Sequence, residues 1–167
     1  MKCGDRIRIN SECTCNITAR GAAGQRVNVS EKVKGATGRC LIGRCGYVII
    51  LDKPIKVGKS LKYEVTLEAS SYYINQYVTM LEEYECNIAQ GNIYIVNLEG
   101  YEYSREYGYL RHIEGKEVVV NQINSNGECY CKLNEDNPEY RWTPTYQISP
   151  LFLKQPLNIP LSEYLLA

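Results

Sequence analysis

Eight cysteines and one histidine are the residues of this 167-residue chain best suited to chemistry. Cys13 and Cys15 alternate along a segment that reads as a strand, which places both thiols on one face about 6–7 Å apart. Cys40 and Cys45 flank a Gly-containing turn and would lie near each other. Four thiolates so placed would suit zinc. The spacings C-x-C and C-x4-C depart, however, from the C-x2-C of common zinc knuckles. Cys129 and Cys131 repeat the C-x-C spacing without a partner pair. Buried, reduced thiols are the leading reading, with Cys13, Cys15, Cys40 and Cys45 as the metal candidates. No cofactor is expected.

His112 suits a general base, a metal ligand or a satisfied surface residue. No nucleophile motif such as G-x-S-x-G accompanies it. Gly58-Lys59-Ser60 ends like a phosphate-binding loop, but Lys53 stands where that loop needs an earlier glycine. The segment that follows alternates like a strand instead of opening a helix. The chain is not expected to be an enzyme.

The charges are sorted by position. Residues 1–62 carry 13 Lys and Arg against 4 Asp and Glu, and residues 63–167 carry 6 against 15. The formal net charge of zero thus hides a basic head and an acidic body. Such asymmetry points to polyanion contact by one end, or to docking of one end on the other. Phosphate contacts need long cationic side chains arrayed together. Arg6, Arg8, Lys32, Lys34, Arg39, Arg44, Lys53 and Lys56 are the candidates, with Lys59 and Lys62 beside them. Gly35-x-x-Gly38 lies among Lys32, Lys34 and Arg39, where glycine would let a phosphate approach the backbone. An ordinary tight turn is the simpler reading.

Tyrosine dominates the aromatic residues, 15 against one Phe and one Trp. Tyr101, Tyr103, Tyr107 and Tyr109 would form a stacking platform or a cage. Glu99, Glu102 and Glu106 around them repel phosphate, so a protein or cationic ligand fits better. Tyr140 and Trp142 share one face of an alternating segment and are further candidates for protein contact. Half-buried sheet positions are the plainer account of all these rings.

Short alternating segments separated by Gly and Pro should position these groups. Residues 4–9, 26–30, 39–42, 45–51 and 60–68 read as strands of a basic module over 1–68. Residues 69–85 change period: Ile74, Tyr77, Val78, Leu81 and Tyr84 recur at helical spacing. That helix opens a linker running to residue 99. Residues 92–98 read as a strand, residues 115–123 and 128–133 as a hairpin, and 100–110 as ambiguous. An acidic, Tyr-rich module covers 100–167, ending in an extended Leu/Pro tail. The fold class is mainly β, two small antiparallel barrels with one helix between them.

The N-terminal stretch has no apolar core of a signal peptide, and the longest apolar run is Val48–Leu51. A cytoplasmic protein that makes no membrane contact is expected, with its thiols reduced.

The order GDRIRI, KGATGRC and GYVIILDKPIKVG resembles small SH3-like barrels of the KOW kind, with residues 35–38 at the family's basic turn. The segment GKEVVVNQINSNGECYCKLNEDNPEYRWTPTYQISPL resembles an SH3-like or Tudor-like barrel. Residues 10–31 are longer than the usual first link of the family. The resemblance implies binding of nucleic acid or protein. Two-module chains of this style also resemble phage or mobile-element accessory proteins, some of which inhibit host complexes in the host cytoplasm.

The expected function is therefore an adaptor or inhibitor. Its basic module contacts nucleic acid or a nucleoprotein complex, and its acidic aromatic module contacts a protein. The competing classes are a homo-oligomer held by the opposed charges, and a small-ligand binder.

Overall fold

A computed structural model describes residues 1–43, 46–70, 72–102, 104–135 and 144–156; Ile42, Gly43, Arg105 and Glu106 are described by backbone alone. The chain is mainly β, with two antiparallel sheets, one of them curled into a half-barrel.

The first sheet contains β1 (Arg6–Ile9), β2 (Asn16–Arg20), β3 (Arg26–Asn28), β4 (Thr37–Gly43), β5 (Gly46–Val57), β6 (Ser60–Glu68) and β7 (Val78–Glu82). Their order across the sheet is β3-β2-β6-β5-β4-β1-β7. The second contains β8 (Ile93–Val96), β9 (Glu117–Ile123), β10 (Cys129–Leu133), β11 (Tyr146–Ile148) and β12 (Leu153–Lys154), in the order β11-β10-β9-β8-β12.

The two orders contain the same pattern. In the second sheet, β9, β10 and β11 form a meander, β8 pairs with β9, and β12 returns to pair with β8. In the first, β4, β5 and β6 form the meander, β1 pairs with β4, and β7 returns to β1. In both, one helical turn immediately precedes the returning strand: α1 (Ile74–Tyr77) before β7, and a 3-10 turn at Pro150–Phe152 before β12. The long first link differs. In the first sheet it carries the β2–β3 hairpin, which adds to β6. In the second it carries α2 (Arg105–Leu110) and a 3-10 turn at Arg111–Ile113.

Alternation explains the strands. In β1, Ile7 and Ile9 are buried while Arg8 faces solvent. Ile49, Val65 and Leu67 continue that inner face, and each such side chain contributes roughly 1.5–3 kcal/mol when fully buried. Leu41 and Val48 point the other way and are buried with Val96, Val118, Ile148 and Phe152 of the second sheet. The two sheets thus share one apolar junction, which the Cys3 N–H···Asn126 O bond (2.8 Å) extends.

Two expectations change, and one open reading is filled in. The helix over 69–85 is a single turn, and Val78–Glu82 is a strand. Helical spacing was present, but β1 offered an unpaired edge, and pairing along it outweighed the weak helix propensity of Tyr, Val and Thr. The strand expected to turn at Pro54 runs on to Val57. Its register with β6 jumps from Ile50↔Glu64 to Ile55↔Lys62, so Pro54 sits where no ladder hydrogen bond is asked of it. The ambiguous Tyr-rich segment contains α2, and β8, ahead of residue 100, belongs to the second sheet.

Candidate functional site

Beyond the bulge, β5 and β6 continue as a hairpin arm that closes at Val57↔Ser60 around Gly58-Lys59. Lys53, Lys56 and Lys59 are exposed on it, Lys62 is half-buried, and Leu61 is 56% exposed opposite Lys56. Lys32, from the 3-10 turn after β3, donates through Nζ to the Lys56 carbonyl at 2.6 Å and adds its charge to the arm. Among the described residues the ion pairs are Arg6–Asp52, Arg26–Glu68, Lys34–Glu31 and Lys116–Glu135. None of them engages Lys32, Lys53, Lys56, Lys59 or Lys62.

The other basic candidates divide. Arg8 is exposed on β1. Arg6 holds Asp52 at 2.8 Å, and Thr37 donates to the same carboxylate. Burial pushes the Asp52 carboxyl up, but the Thr37 and Arg6 hydrogen bonds and the Arg6 charge outweigh it and leave it below its ordinary value. The same hydrogen bond and charge raise Arg6. Lys34 is tied to Glu31 at 3.0 Å. Arg39 is half-buried and donates to the Gly4 carbonyl at 3.0 Å. Its charge acts on Tyr84 and Tyr101, so it belongs to the junction between the sheets. Arg44 lies outside the described residues.

The paired glycines have separate structural causes. Gly35 has φ of 75° in the turn before β4, and its N–H is spent on the Ile9 carbonyl at 2.9 Å. The Ala36 N–H is spent on Val33. At Gly38 a Cβ would lie 2.3 Å from the Ile50 carbonyl oxygen, so glycine allows β4 and β5 to pair there. A phosphate cradle needs free N–H groups, and those of Gly35 and Ala36 are engaged.

The tyrosines do not form one array. Tyr101 packs edge-on against Phe152, ring centres 5.0 Å apart, and burial raises its phenol. Tyr107 packs against the same core. Tyr109 is 52% exposed and lies 6.5 Å from the Tyr146 ring. Helical winding over Arg105–Leu110 replaces the strand alternation that would have aligned them. Tyr103, Tyr140 and Trp142 lie outside the described residues.

Sequence reading gave His112 no settled role. Its Nε2 lies 3.2 Å from the Tyr146 hydroxyl, beside Tyr109, and forms a small polar-aromatic surface cluster. Two residues 34 positions apart left no local signal of this contact.

Of the metal candidates, Cys13 and Cys15 meet at Sγ···Sγ 3.2 Å, in a bend ahead of β2 and not along a strand. Cys40 is buried at the opposite end of β1. Burial pushes its thiol up, and the nearby Cys3 and Asp5 add to the rise. Cys45 lies outside the described residues. Among the described residues no three or more His, Cys, Asp or Glu side chains are grouped to hold a metal. No helix there is long and apolar enough to cross a membrane.

Comparison of the chain with family models, curated proteins and solved structures finds no match.

Proposed function

We propose that the chain is a non-catalytic binding protein of two SH3-like modules, and that the β5–β6 arm grips the phosphate backbone of nucleic acid. The carrying observation is the arm itself: Lys53, Lys56, Lys59 and Lys62 lie on one hairpin, Lys32 reaches it from the 3-10 turn after β3, and none has a carboxylate partner among the described residues. Like charges kept together and unneutralised repel each other, and a polyanion relieves that repulsion. Exposed Leu61 among them suits contact with a sugar or a base face. The modular reading is supported by the repeated strand order and by the helical turn before each returning strand.

In this reading the second module contacts a protein. Tyr109, exposed over Tyr146 and His112 in an acidic half of the chain, favours a protein surface over phosphate.

The test is fluorescence anisotropy with labelled single-stranded RNA and duplex DNA, from about 50 mM to about 200 mM salt. Binding should weaken steeply across that range and should be lost at its low end in Lys56→Glu/Lys59→Glu. An absence of binding at the lowest salt removes nucleic acid from the proposal.

A second reading, assembly through protein contacts alone, is favoured by the edge strand β7, which exposes Met80 and Leu81. Under it, light scattering would show an oligomer that salt dissociates, with no nucleic-acid binding.

A further inference from the structure

We propose that Cys13 and Cys15 are a thiol–disulfide couple that closes on oxidation by a small-molecule disulfide of the glutathione class. Three observations place the couple here and not at the other thiols.

The first is proximity. The two sulfurs lie 3.2 Å apart while both are free thiols, and a disulfide bond needs about 2.05 Å. A small rotation of each side chain closes that gap. In a flat strand, residues i and i+2 sit about 6.6–6.8 Å apart, the far limit of disulfide geometry. Here the chain bends instead: the Cys13 N–H returns to the Asn10 carbonyl at 3.0 Å, and Cys15 sits in the bend before β2. That bend supplies the approach an extended segment would withhold.

The second is access. Cys13 and Cys15 are half-exposed, whereas Cys3, Cys40, Cys129 and Cys131 are buried. Cys86 is exposed but has no comparable thiol contact among the described residues. A small disulfide reaches the pair without opening the core.

The third is the assignment of roles. Burial, followed by the hydrogen bond to Cys13, pushes Cys15 up to about 12, so Cys15 stays protonated at neutral pH. A thiol held protonated is the poorer nucleophile, so Cys13 is taken as the attacking group and Cys15 as the resolving one.

The exchange balances. The Cys13 thiolate attacks one sulfur of the small disulfide, forming a mixed disulfide and releasing one thiolate, which takes up a proton. Cys15 then loses its proton and attacks the Cys13 sulfur of that mixed disulfide, releasing the second small thiol. Two protein thiols lose two hydrogens in all, and the oxidant leaves as two thiols. The new ring spans Cys13-Thr14-Cys15 and stiffens the β1–β2 link. That link also carries Asn10, whose amide donates to the Gln76 carbonyl and whose Oδ1 accepts from Thr79, so its rigidity passes to α1 and β7.

The experiment uses the full chain equilibrated in glutathione buffers of rising disulfide content, quenched in acid, alkylated and cleaved with trypsin. Cleavage after Arg8 and Arg20 releases residues 9–20, which contain Cys13 and Cys15 and no other cysteine. The expected result is that this peptide becomes lighter by two hydrogens and unreactive to the alkylating agent, while the peptides with Cys3, Cys40, Cys129 and Cys131 stay alkylatable after unfolding. Cys15→Ser, and Cys15→Ala as a second variant, should trap glutathione on Cys13. The proposal is overturned if residues 9–20 stay fully alkylated at ratios that oxidise a reference dithiol. It is overturned equally if the native chain accumulates glutathione on either cysteine instead of closing the ring.

Discussion

The Asp5 carboxylate accepts the backbone N–H of Tyr84 at 2.9 Å, joining the start of β1 to the segment that follows β7, 79 positions later in the chain. Its other oxygen accepts the Lys2 N–H at 2.7 Å. Asp5 is almost fully buried, so these N–H groups are what make a carboxylate tolerable there. Asp5→Ala would leave two backbone donors without their acceptor. We expect it to lose about 2–3 kcal/mol in urea unfolding. A loss below about 0.5 kcal/mol would mean that water replaces the carboxylate and that the link is incidental.

Gly4 precedes that carboxylate and meets the same partner. Its φ is 93°, and a Cβ there would lie 2.6 Å from Cγ of the Tyr84 ring. Gly4→Ala therefore meets two penalties: about 1 kcal/mol of backbone strain, and a steric clash. Only the clash depends on Tyr84. A double-mutant cycle should show Gly4→Ala costing less in a Tyr84→Ala background, with a residual above the strain alone because the Cβ kept at position 84 still lies 2.9 Å away. Additive effects would contradict the contact.

Leu41 belongs to the first sheet by hydrogen bonding and to the second by packing, since it is buried among residues of β8 to β12. Leu41→Ala should cost about 2–5 kcal/mol. Because the cavity opens at the junction, tyrosine fluorescence and far-UV circular dichroism should still report one shared transition, shifted to lower urea. An unchanged midpoint would show that the sheets do not depend on this contact.

Buried thiols make the fold sensitive to alkali. Burial pushes Cys129 and Cys131 up to about 12, whereas an unfolded thiol titrates near about 8.5. Above that lower value the unfolded chain has released protons that the folded chain keeps, so stability falls as pH rises. It is fully present below about pH 8.5. The loss by about pH 9.5 depends only on the unfolded value and is about 1.4 kcal/mol per thiol. Cys131→Ala removes one of these thiols. Its stability should be lower at neutral pH, yet fall less steeply than the native protein's between about pH 8 and about 9.5. Parallel curves would show that Cys131 ionises freely in the fold.

Much of the framework was legible because local pattern and tertiary demand agreed. Alternation in 60–68 marks β6 to its ends, and the Gly-bounded segments 115–123 and 128–133 are the β9–β10 hairpin. Agreement failed where a distant edge decided the outcome. Val78 and Leu81 suit a helix face as well as a strand, and only the place beside β1 selects the strand. At the candidate site, composition located the basic head but could not tell a shared charge from a free one. Arg6 looks like Lys53 and Lys56 in the sequence, and only folding brings Asp52 to it across 46 positions, whereas Lys34 has its partner Glu31 just three residues before it.

That distinction makes the binding test sharp. Each lysine that neutralises a phosphate releases counterions, and the slope of log Kobs against log salt changes by about 0.7 per contact on a single strand. Converting Lys53, Lys56, Lys59 and Lys62 to glutamine should therefore flatten the slope by about 3. Arg6→Gln removes a charge of the same sign from the same module, but that charge is already held at 2.8 Å by Asp52. Its effect on the slope should be well below one contact. Equal flattening per charge removed, about 0.7 for Arg6→Gln, would mean that binding follows the summed charge of the basic head, and the hairpin arm would lose its claim to be the site.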